Sequence, residues 1–485
     1  MWTKFSSAAL LILLISTSLH FYGRSFTNFF FQDDFFNITL SQSQSIIQSF
    51  NIFSKPILDF YFFRPLTTQL FWGVTFPVFG WNVAPYHLIV SIFFAINIFF
   101  IYWLSTLLTD KKPIALLTTF LYAFSATHFH RLFFLSQFQE IGLTTFVLLT
   151  IISYIKNSKL SLVFFILALT SKETAVVTPI FLLVFSVLSS RKQYRLLALH
   201  FLILGVYLFL RFTFFGFASG GPYTYDFNPL HVINNYVWYG LWALGIPESF
   251  VNLKLFFVNR YDDLGQWQSF SFINPDIFTA FGIWGGPIIL VFALLLLTLI
   301  LALNKKNWTH FFRRESIFAS MIFIIFLLPV AFFPFHKFAY SLTLPAIGLS
   351  LFLANLLINF SLRFQILSLV FFIALSFFTT QYNVSEHWAV KKAIVAKLAW
   401  EYFRQNHPEN ITADNIYFRN TDAPYCSILK NKFKPSQEVA YGLGGADSLR
   451  LLYNNPELKV YFEDFDDNHH LMADSLMIDS RQFLP

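Results

Sequence analysis

The fold class is decided by the stretch Pro85–Leu108, which reads PYHLIVSIFFAINIFFIYWLSTLL and contains no Asp, Glu, Lys or Arg. An α-helix rises about 1.5 Å per residue, so about 20 apolar residues cross the hydrocarbon core of a bilayer. The charged run Asp110-Lys111-Lys112 follows directly and ends the stretch. Pro85–Leu108 therefore predicts a transmembrane helix.

Composition extends this prediction to the whole chain. Of its 485 residues, 56% are hydrophobic and 12% are charged, and the mean hydropathy is +0.57. Soluble domains carry about 25% charged residues, so the sequence predicts a polytopic membrane protein. The net charge of +7 is spread over short loops between apolar segments, which argues against a nucleic-acid partner. The single cysteine, Cys426, excludes an internal disulfide.

Charged turns and Pro/Gly breaks divide the first part of the chain into about eleven predicted spans. No Ala-x-Ala cleavage site follows the first one, so we expect it to remain as an uncleaved helix. The spans are 8–22, 85–108, 113–126, 141–155, two half-length runs on either side of 171–173, 196–215, 278–303, 317–335, 341–360 and 364–382. Residues 1–382 are thus predicted to form a transmembrane domain with long outer loops at 23–82 and 216–276.

Residues 383–485 have an ordinary composition and are predicted to form a small soluble domain. Helices are expected around Trp388–Gln405 and Ala446–Tyr453, and strands around Asn415–Phe418 and Leu458–Phe462. The predicted fold class is therefore an all-α polytopic membrane protein with a small C-terminal α/β domain.

The distribution of Lys and Arg predicts which loops lie on which side of the membrane. With the N-terminus inside, the turns that follow the second, fourth, sixth, eighth and tenth spans lie in the cytoplasm. These turns hold most of the basic charge of the short loops, as the positive-inside rule requires. The other loops and the C-terminal domain then lie on the non-cytoplasmic side. Ionisable residues from five separate stretches share that outer face: Asp33, Asp34, Arg64, His128, His130, Glu140, Lys172, Glu173, His336 and Lys337.

Two adjacent carboxylates, Asp33 and Asp34, stand inside the aromatic run Phe29–Phe36 directly after the first span. Aromatic surface removes the water that would screen their repulsion, and such a pair at a membrane edge suits proton chemistry or the binding of a divalent ion. The alternative is an acidic cap where a helix leaves the bilayer. The shared outer face favours the catalytic interpretation, and it leaves open which of the two takes the proton.

The remaining outer-face residues suit the transfer of a group from a lipid-linked phosphate. Arg64, Lys172 and Lys337 supply the cationic donors that a phosphate needs, and His128, His130 and His336 could bind phosphate, relay protons or ligate a metal. Glu140 and Glu173 are further candidate bases or metal ligands.

Each of these groups also has a structural alternative. The alternatives are an interfacial helix that starts at Arg64-Pro65, a neutralised Lys172-Glu173 pair, snorkelling of His336-Lys337, and interhelical hydrogen bonds from His87 and Asn97. Each alternative competes on its own, but the shared sidedness of the set favours an assembled polar site.

The order of these short motifs resembles that of polyprenyl-phosphate-dependent glycosyltransferases of the GT-C superfamily. It is similar above all to protein O-mannosyltransferases and to the transmembrane O-mannosyltransferases that carry tetratricopeptide repeats. The matching residues, which cover roughly the first 350, are Asp33-Asp34, Phe63-Arg64-Pro65-Leu66-Thr67-Thr68, Pro85-Tyr86-His87-Leu88, His128-Phe129-His130, Ser171-Lys172-Glu173-Thr174-Ala175, His336-Lys337-Phe338-Ala339-Tyr340 and Pro345-Ala346-Ile347-Gly348.

The resemblance implies an inverting transfer of a hexose, such as mannose, from a polyprenyl-phosphate donor to a protein, glycan or lipid acceptor outside the cytoplasmic membrane. It implies that Asp33 or Asp34 is the base and helps to hold a divalent ion. Arg64, Lys172, His336 and Lys337 would bind the donor phosphate, with His128, His130, Glu140 and Glu173 in support.

Two departures from the family pattern bear on the reaction. The relatives' His-Thr-Glu is His128-Phe129-His130 here, and no tetratricopeptide repeat follows residue 382. Acceptor choice therefore stays open. A transporter or flippase of lipid-linked saccharides is the alternative function, although the chain shows no internal repeat of the transporter kind. A catalytically silent scaffold is a third possibility, against which Asp33 and Asp34 count.

Overall fold

The computed structural model describes most of the chain. It covers residues 7–53, 62–189, 193–216, 223–249, 260–261, 267–268, 282–302, 313–334, 336–408, 415–420, 434–465 and 475–484. Cys426, parts of the basic turns at 191–195 and 305–314, and much of the second outer loop lie outside the described residues.

Helices account for most of the described structure. In chain order they are α1 Ser7–Phe21, α2 Asp33–Ser43, α3 Ile46–Ser49, α4 Gln69–Phe79, α5 Ala84–Thr109, α6 Lys112–Ala123, α7 His128–Phe133, α8 Phe138–Ile155, α9 Leu160–Ser171, α10 Thr178–Leu188, α11 Tyr194–Phe214, α12 Pro229–Ala243, α13 Gly282–Ala302, α14 Arg314–Ala331, α15 Pro345–Leu357, α16 Leu362–Glu386, α17 Trp388–Asn406, α18 Pro435–Leu443 and α19 Asp447–Leu452.

Each predicted span coincides with a helix. Among the described residues, six helical segments are long and apolar enough to cross a membrane: Ala84–Thr109, Leu135–Ile155, Tyr194–Phe214, Ile283–Leu301, Arg314–Ala331 and Leu362–Asn406. Other predicted spans form shorter apolar helices, such as α1, α9 and α15. The integral membrane class is therefore supported, whereas the number of spans and their sidedness stay predictions.

The helices of the membrane part pack closely where small residues allow it. Helices α14 and α15 lie side by side, and a Cβ atom on Gly348 of α15 would lie 2.6 Å from the backbone nitrogen of Phe323. Any larger residue at this position would push the two helices apart, which is the usual role of small residues in membrane helix contacts. Helix α5 contacts both α6 and α8, and α8 also contacts α9.

Four helices of the described residues lie within the predicted outer loops, namely α2, α3 and α4 in the first and α12 in the second. Helix α4 lies in the first loop and contacts α2, and α12 lies in the second loop and contacts α14. Helix α12 buries the aromatic rings of Trp238, Tyr239 and Trp242. The composition of the second loop, rich in Gly, Asn, Tyr and Trp, did not reveal this helix.

The C-terminal region forms the small α/β domain that the sequence predicts. Strand β3 Asn415–Arg419 lies between β4 Lys459–Phe462 and β5 Ser475–Asp479 and pairs in parallel with both. A separate two-stranded antiparallel pair, β1 Arg260–Tyr261 and β2 Trp267–Gln268, precedes this sheet in the chain. The predicted helices and strands of the C-terminal region match α17, α19, β3 and β4, whereas α18 and β5 were not anticipated.

Helix α17 joins the C-terminal domain to the membrane part. Helix α16 runs through the predicted boundary at residue 382 to Glu386, and α17 begins two residues later. Ala389, Ala393 and Ala396 of α17 pack into the core of the membrane part, whereas Val395 and Phe403 pack into the core of the C-terminal domain. Because one helix serves both cores, side chains of the C-terminal domain are held against the outer loops.

Candidate functional site

The two adjacent aspartates at the start of α2 have different surroundings. Asp34 is fully buried, and its Oδ1 accepts hydrogen bonds from the Ser136 backbone N–H at 2.7 Å and the Ser136 hydroxyl at 2.6 Å. Its Oδ2 accepts the Phe31 N–H at 3.1 Å. Burial raises the pKa of Asp34 to about 7 even though these hydrogen bonds lower it. The carboxyl group of Asp34 therefore ties the first outer loop to the segment before α8.

Asp33 points in a different direction and remains accessible to solvent. Adjacent residues of a helix do not face the same way, so burial of Asp34 leaves Asp33 exposed in the first turn of α2. The surrounding protein raises the pKa of Asp33 by desolvation, and Lys392, Gln32, Arg64 and His130 lower it in part. Asp33 is therefore accessible, and the cations Lys392 and Arg64 from two other segments reach it electrostatically.

The C-terminal domain contacts the residue that precedes Asp33. Gln32 has a positive φ of 50°, its N–H donates to the Gly442 carbonyl at 3.0 Å, and its side-chain Oε1 accepts from Lys392 Nζ at 2.8 Å. The Lys392 ammonium also lies 4.9 Å from the ring centroid of Trp388 and 4.8 Å from that of Tyr441. Lys392, on α17, is therefore a cation of the site that sequence reasoning missed.

The predicted cations Arg64 and Lys172 each form an ion pair with a predicted carboxylate. Arg64 Nε donates to Glu173 Oε2 at 2.7 Å, Nη2 donates to the other oxygen of Glu173, and Nη1 donates to Gln139. Lys172 Nζ donates to Glu140 Oε1 at 2.5 Å, and both side chains are buried. Lys172 and Glu173 are sequence neighbours, yet each pairs with a residue of another segment.

His336 and Tyr340 lie close to these two ion pairs. The Tyr340 hydroxyl lies 2.9 Å from His336 Nε2, and the Lys172 ammonium lies 5.2 Å from the centroid of the Tyr340 ring. Burial and the nearby cations Lys172 and Arg64 lower the pKa of His336 to about 4. His336 is thus neutral at pH 7, so it can hydrogen-bond a phosphate but does not add positive charge. Lys337 follows it and is partly buried.

The two histidines of the 128–130 motif have separate surroundings. His128 donates from Nε2 to the Tyr122 carbonyl at 2.7 Å and accepts at Nδ1 from Arg131 Nη2 at 2.7 Å. Arg131 in turn donates to the carbonyl oxygens of Ala339 and Tyr340, at 3.0 Å each. Both ring nitrogens of His128 are therefore engaged. Nε2 contacts Tyr122, and Nδ1 positions Arg131, which holds the 339–340 segment in place.

His130 faces two residues that the sequence analysis did not single out. Its Nδ1 lies 3.3 Å from Glu248 Oε2, and its ring centroid lies 5.0 Å from that of His387. Burial by itself raises the pKa of Glu248. The opposing effects of His130, His387 and the Ala339 N–H are larger together, and they lower the pKa to about 2. These groups line a small cavity beside the start of α17.

The predicted structural roles of two polar residues in α5 are confirmed. His87 lies 3.0 Å from the carbonyl oxygens of both Leu132 and Asn28, and Asn97 donates to the Ile141 carbonyl at 2.9 Å. Their hydrogen bonds connect α5 to neighbouring segments.

The binding of a divalent ion by Asp33 and Asp34 stays a prediction. Asp34 is fully buried and its two oxygens accept three hydrogen bonds from protein donors, so most of its acceptor capacity is already used. Among the described residues, the group able to supply three ligands to one ion is instead His130, Glu248 and His387.

No family model matches the sequence, and no curated protein sequence matches it. The structure is similar to the crystal structure of the Archaeoglobus fulgidus oligosaccharyltransferase in the apo form, with a TM-score of 0.50 and 12% sequence identity. The match covers 95% of this chain and 65% of that protein. At this identity the likeness concerns the fold alone, and it supports the predicted helical membrane part with a small α/β domain.

Proposed function

We propose that this chain is a membrane glycosyltransferase that moves a sugar from a polyprenyl-phosphate donor to an acceptor on the non-cytoplasmic face. The observation that carries the proposal is the accessible carboxylate of Asp33, next to the contact of Gln32 with Lys392 and within the electrostatic reach of Lys392 and Arg64. The fold likeness to the Archaeoglobus fulgidus oligosaccharyltransferase supports the same reaction class. The donor of first choice is a polyprenyl phosphate that carries a hexose of the mannose type.

Asp33 is the proposed general base, because it is accessible and its raised pKa makes it a better proton acceptor than a free carboxylate. In the transfer, a nucleophilic atom of the acceptor bonds to the anomeric carbon of the sugar and its proton passes to the Asp33 carboxylate. The bond between that carbon and the phosphate oxygen breaks, and the lipid phosphate leaves with the negative charge. Attack opposite the leaving group inverts the anomeric configuration.

Arg64 and Lys172 would bind the donor phosphate. Arg64 carries five N–H groups, and its contacts with Glu173 and Gln139 engage three of them. Lys172 carries three N–H groups and directs one to Glu140. The glutamates fix both cations in position, and the remaining N–H groups could stabilise the charge that grows on the departing phosphate. Lys337 and the neutral His336 complete this proposed phosphate site.

Transfer of radiolabelled sugar from a polyprenyl-phosphate donor, in membranes that retain the native acceptors, tests the proposal. We expect Asp33→Asn to reduce transfer by about 10²-fold or more, the scale on which general bases act. The matched control is Asp110→Asn, because Asp110 is exposed at the end of α5 with a positive φ of 53° that Asn tolerates. Full activity of Asp33→Asn at normal expression would refute the assignment, and retention of the anomeric configuration would refute the single displacement.

A further inference from the structure

His130, Glu248 and His387 form a compact, buried cluster from three distant parts of the chain. His130 lies on α7, Glu248 follows α12, and His387 stands between α16 and α17. Their candidate ligand atoms all lie within 4.8 Å of one another. His130 and His387 are 2% and 6% exposed, so their ring nitrogens have little access to bulk water.

The geometry within the cluster suits a shared ion better than a hydrogen bond. The distance of 3.3 Å between His130 Nδ1 and Glu248 Oε2 is long for an N–H···O hydrogen bond, which is usually 2.7–3.2 Å. Two ligands about 2.0–2.1 Å from one tetrahedral ion lie about 3.3–3.4 Å apart. The candidate ligand atoms of all three residues lie within 4.8 Å of one another, so side-chain movement within the cluster must close the remaining distances to this spacing.

A second observation concerns the other ring nitrogen of His130. Its Nε2 atom is buried and has no hydrogen-bond partner among the described residues, so no protein contact on that side of the ring competes with binding of an ion through Nδ1. A buried polar atom without a partner costs free energy, and a water molecule would satisfy Nε2 when Nδ1 binds the ion. The cluster also lines a small cavity, which is about large enough for a single water molecule as a further ligand.

We infer that His130, Glu248 and His387 bind a divalent transition-metal ion of the Zn²⁺ class. Two imidazoles and one carboxylate, with an open fourth position, are a ligand set that zinc commonly takes in proteins, whereas Mg²⁺ and Ca²⁺ prefer oxygen ligands alone. The ion would connect the second outer loop to the start of α17 and thereby anchor the C-terminal domain. This inference does not rest on the proposed function.

His387 has one competing contact. Its Nδ1 accepts the Ala389 N–H at 3.2 Å and so caps α17. A neutral imidazole has one nitrogen lone pair, so binding of an ion through His387 would replace this long hydrogen bond. The loss is small beside the binding free energy of a structural metal.

Metal content of the purified full-length chain tests the inference without any sugar substrate. After removal of bound metal with a chelator and dialysis against Zn²⁺, we expect about one Zn²⁺ per chain. Glu248→Gln keeps an oxygen that can accept the Ala339 N–H, and His387→Asn keeps a good N-cap residue, so both variants should fold. Each should bind zinc at least about tenfold more weakly, since loss of even an outer-shell partner costs that much.

The matched control is His231→Gln, because His231 also pairs with a carboxylate, Asp226, but lies outside the cluster. This variant should bind zinc like the wild type. Zn²⁺ should also raise the unfolding temperature of the wild type and of His231→Gln, but not that of the two cluster variants. Substoichiometric zinc in the wild type, or wild-type affinity in Glu248→Gln or His387→Asn, would overturn the inference and would leave the proposed sugar transfer untouched.

Discussion

Arg64 and Glu173, which are 109 residues apart in sequence, form a two-point ion pair in which Arg64 Nε lies 2.7 Å from Glu173 Oε2 and Nη2 contacts Oε1. The planar guanidinium matches the two carboxylate oxygens, so the pair fixes both position and orientation. Lys172, the neighbour of Glu173, forms its ion pair with Glu140 on α8. The consecutive residues Lys172 and Glu173 therefore contact two different segments: Glu173 binds the first outer loop through Arg64, and Lys172 binds the start of α8.

Removal of the acidic partner of Arg64 should destabilise the fold. We expect Glu173→Gln to lower the free energy of unfolding by about 1.5–3 kcal/mol, because hydrogen bonds to charged groups contribute on that scale. Unfolding in detergent micelles, followed by tryptophan fluorescence, measures this change. Lys391→Met, which removes the more exposed pair with Glu386, is the control and should cost about 1 kcal/mol or less. Equal effects of the two variants would contradict the prediction.

Substitution by Asn should affect the stability of the protein strongly at Asp34 and hardly at all at Asp33. Asp34→Asn removes the charge that accepts the hydrogen bonds of Ser136 and Phe31, so we expect a loss of about 1.5–3 kcal/mol of stability. Asp33→Asn, at an accessible position, should leave stability within about 0.5 kcal/mol. Unfolding of both variants in parallel measures the difference. Greater destabilisation by Asp33→Asn would show that the two roles are exchanged.

The pH dependence of sugar transfer should report the surroundings of Asp33. A base acts only when deprotonated, so transfer decreases as the pH falls through its pKa. Desolvation by the surrounding protein raises the pKa of Asp33, so the acid limb should lie above the value of about 3.9 for a free aspartate. Lys392 lowers this pKa, and Lys392→Met should therefore move the acid limb to higher pH.

The control for this shift is again Lys391→Met, because Lys391 is the sequence neighbour of Lys392 but pairs with Glu386 at 2.9 Å. Its pH profile should coincide with that of the wild type. An acid limb that stays in place in Lys392→Met, or moves to lower pH, would contradict the assignment of Asp33 as the base.

Two adjacent glycines allow the contact of the C-terminal domain to be tested separately from backbone strain. Gly444 and Gly445 have φ values of 63° and 66°, so alanine is strained at both. A Cβ on Gly444 would lie 2.6 Å from the Gln32 carbonyl oxygen, whereas a Cβ on Gly445 would meet nothing within 4 Å. Gly445→Ala should cost about 1 kcal/mol.

Gly444→Ala should cost more than Gly445→Ala, and it should also reduce sugar transfer, because Gln32 precedes Asp33. Transfer assays and unfolding measurements on both variants provide the comparison. Identical stability and activity of the two would mean that the contact with Gln32 does not position Asp33.

The helical membrane class could be predicted from the sequence because it depends on local properties. A stretch such as Pro85–Leu108, which lacks charge, can satisfy its backbone in a bilayer only as a helix or a closed barrel, and its length fits a helix. The C-terminal strands Asn415–Arg419 and Lys459–Phe462 were predictable for a similar reason, since β-branched and aromatic residues mark them. The same local view missed α12, whose aromatic residues the sequence analysis assigned to a loop.

The sequence by itself determined the membrane class, the small C-terminal domain and the ionisable residues from which a site could be built. Only the tertiary structure decided how they combine, because pairing across 109 or 118 residues depends on how whole helices pack. Packing against Ser136 buries Asp34 and leaves Asp33 accessible, although the sequence treats the two alike. Packing of α17 against the outer loops brings Lys392 and His387 to the site, and no local pattern around those residues indicates this.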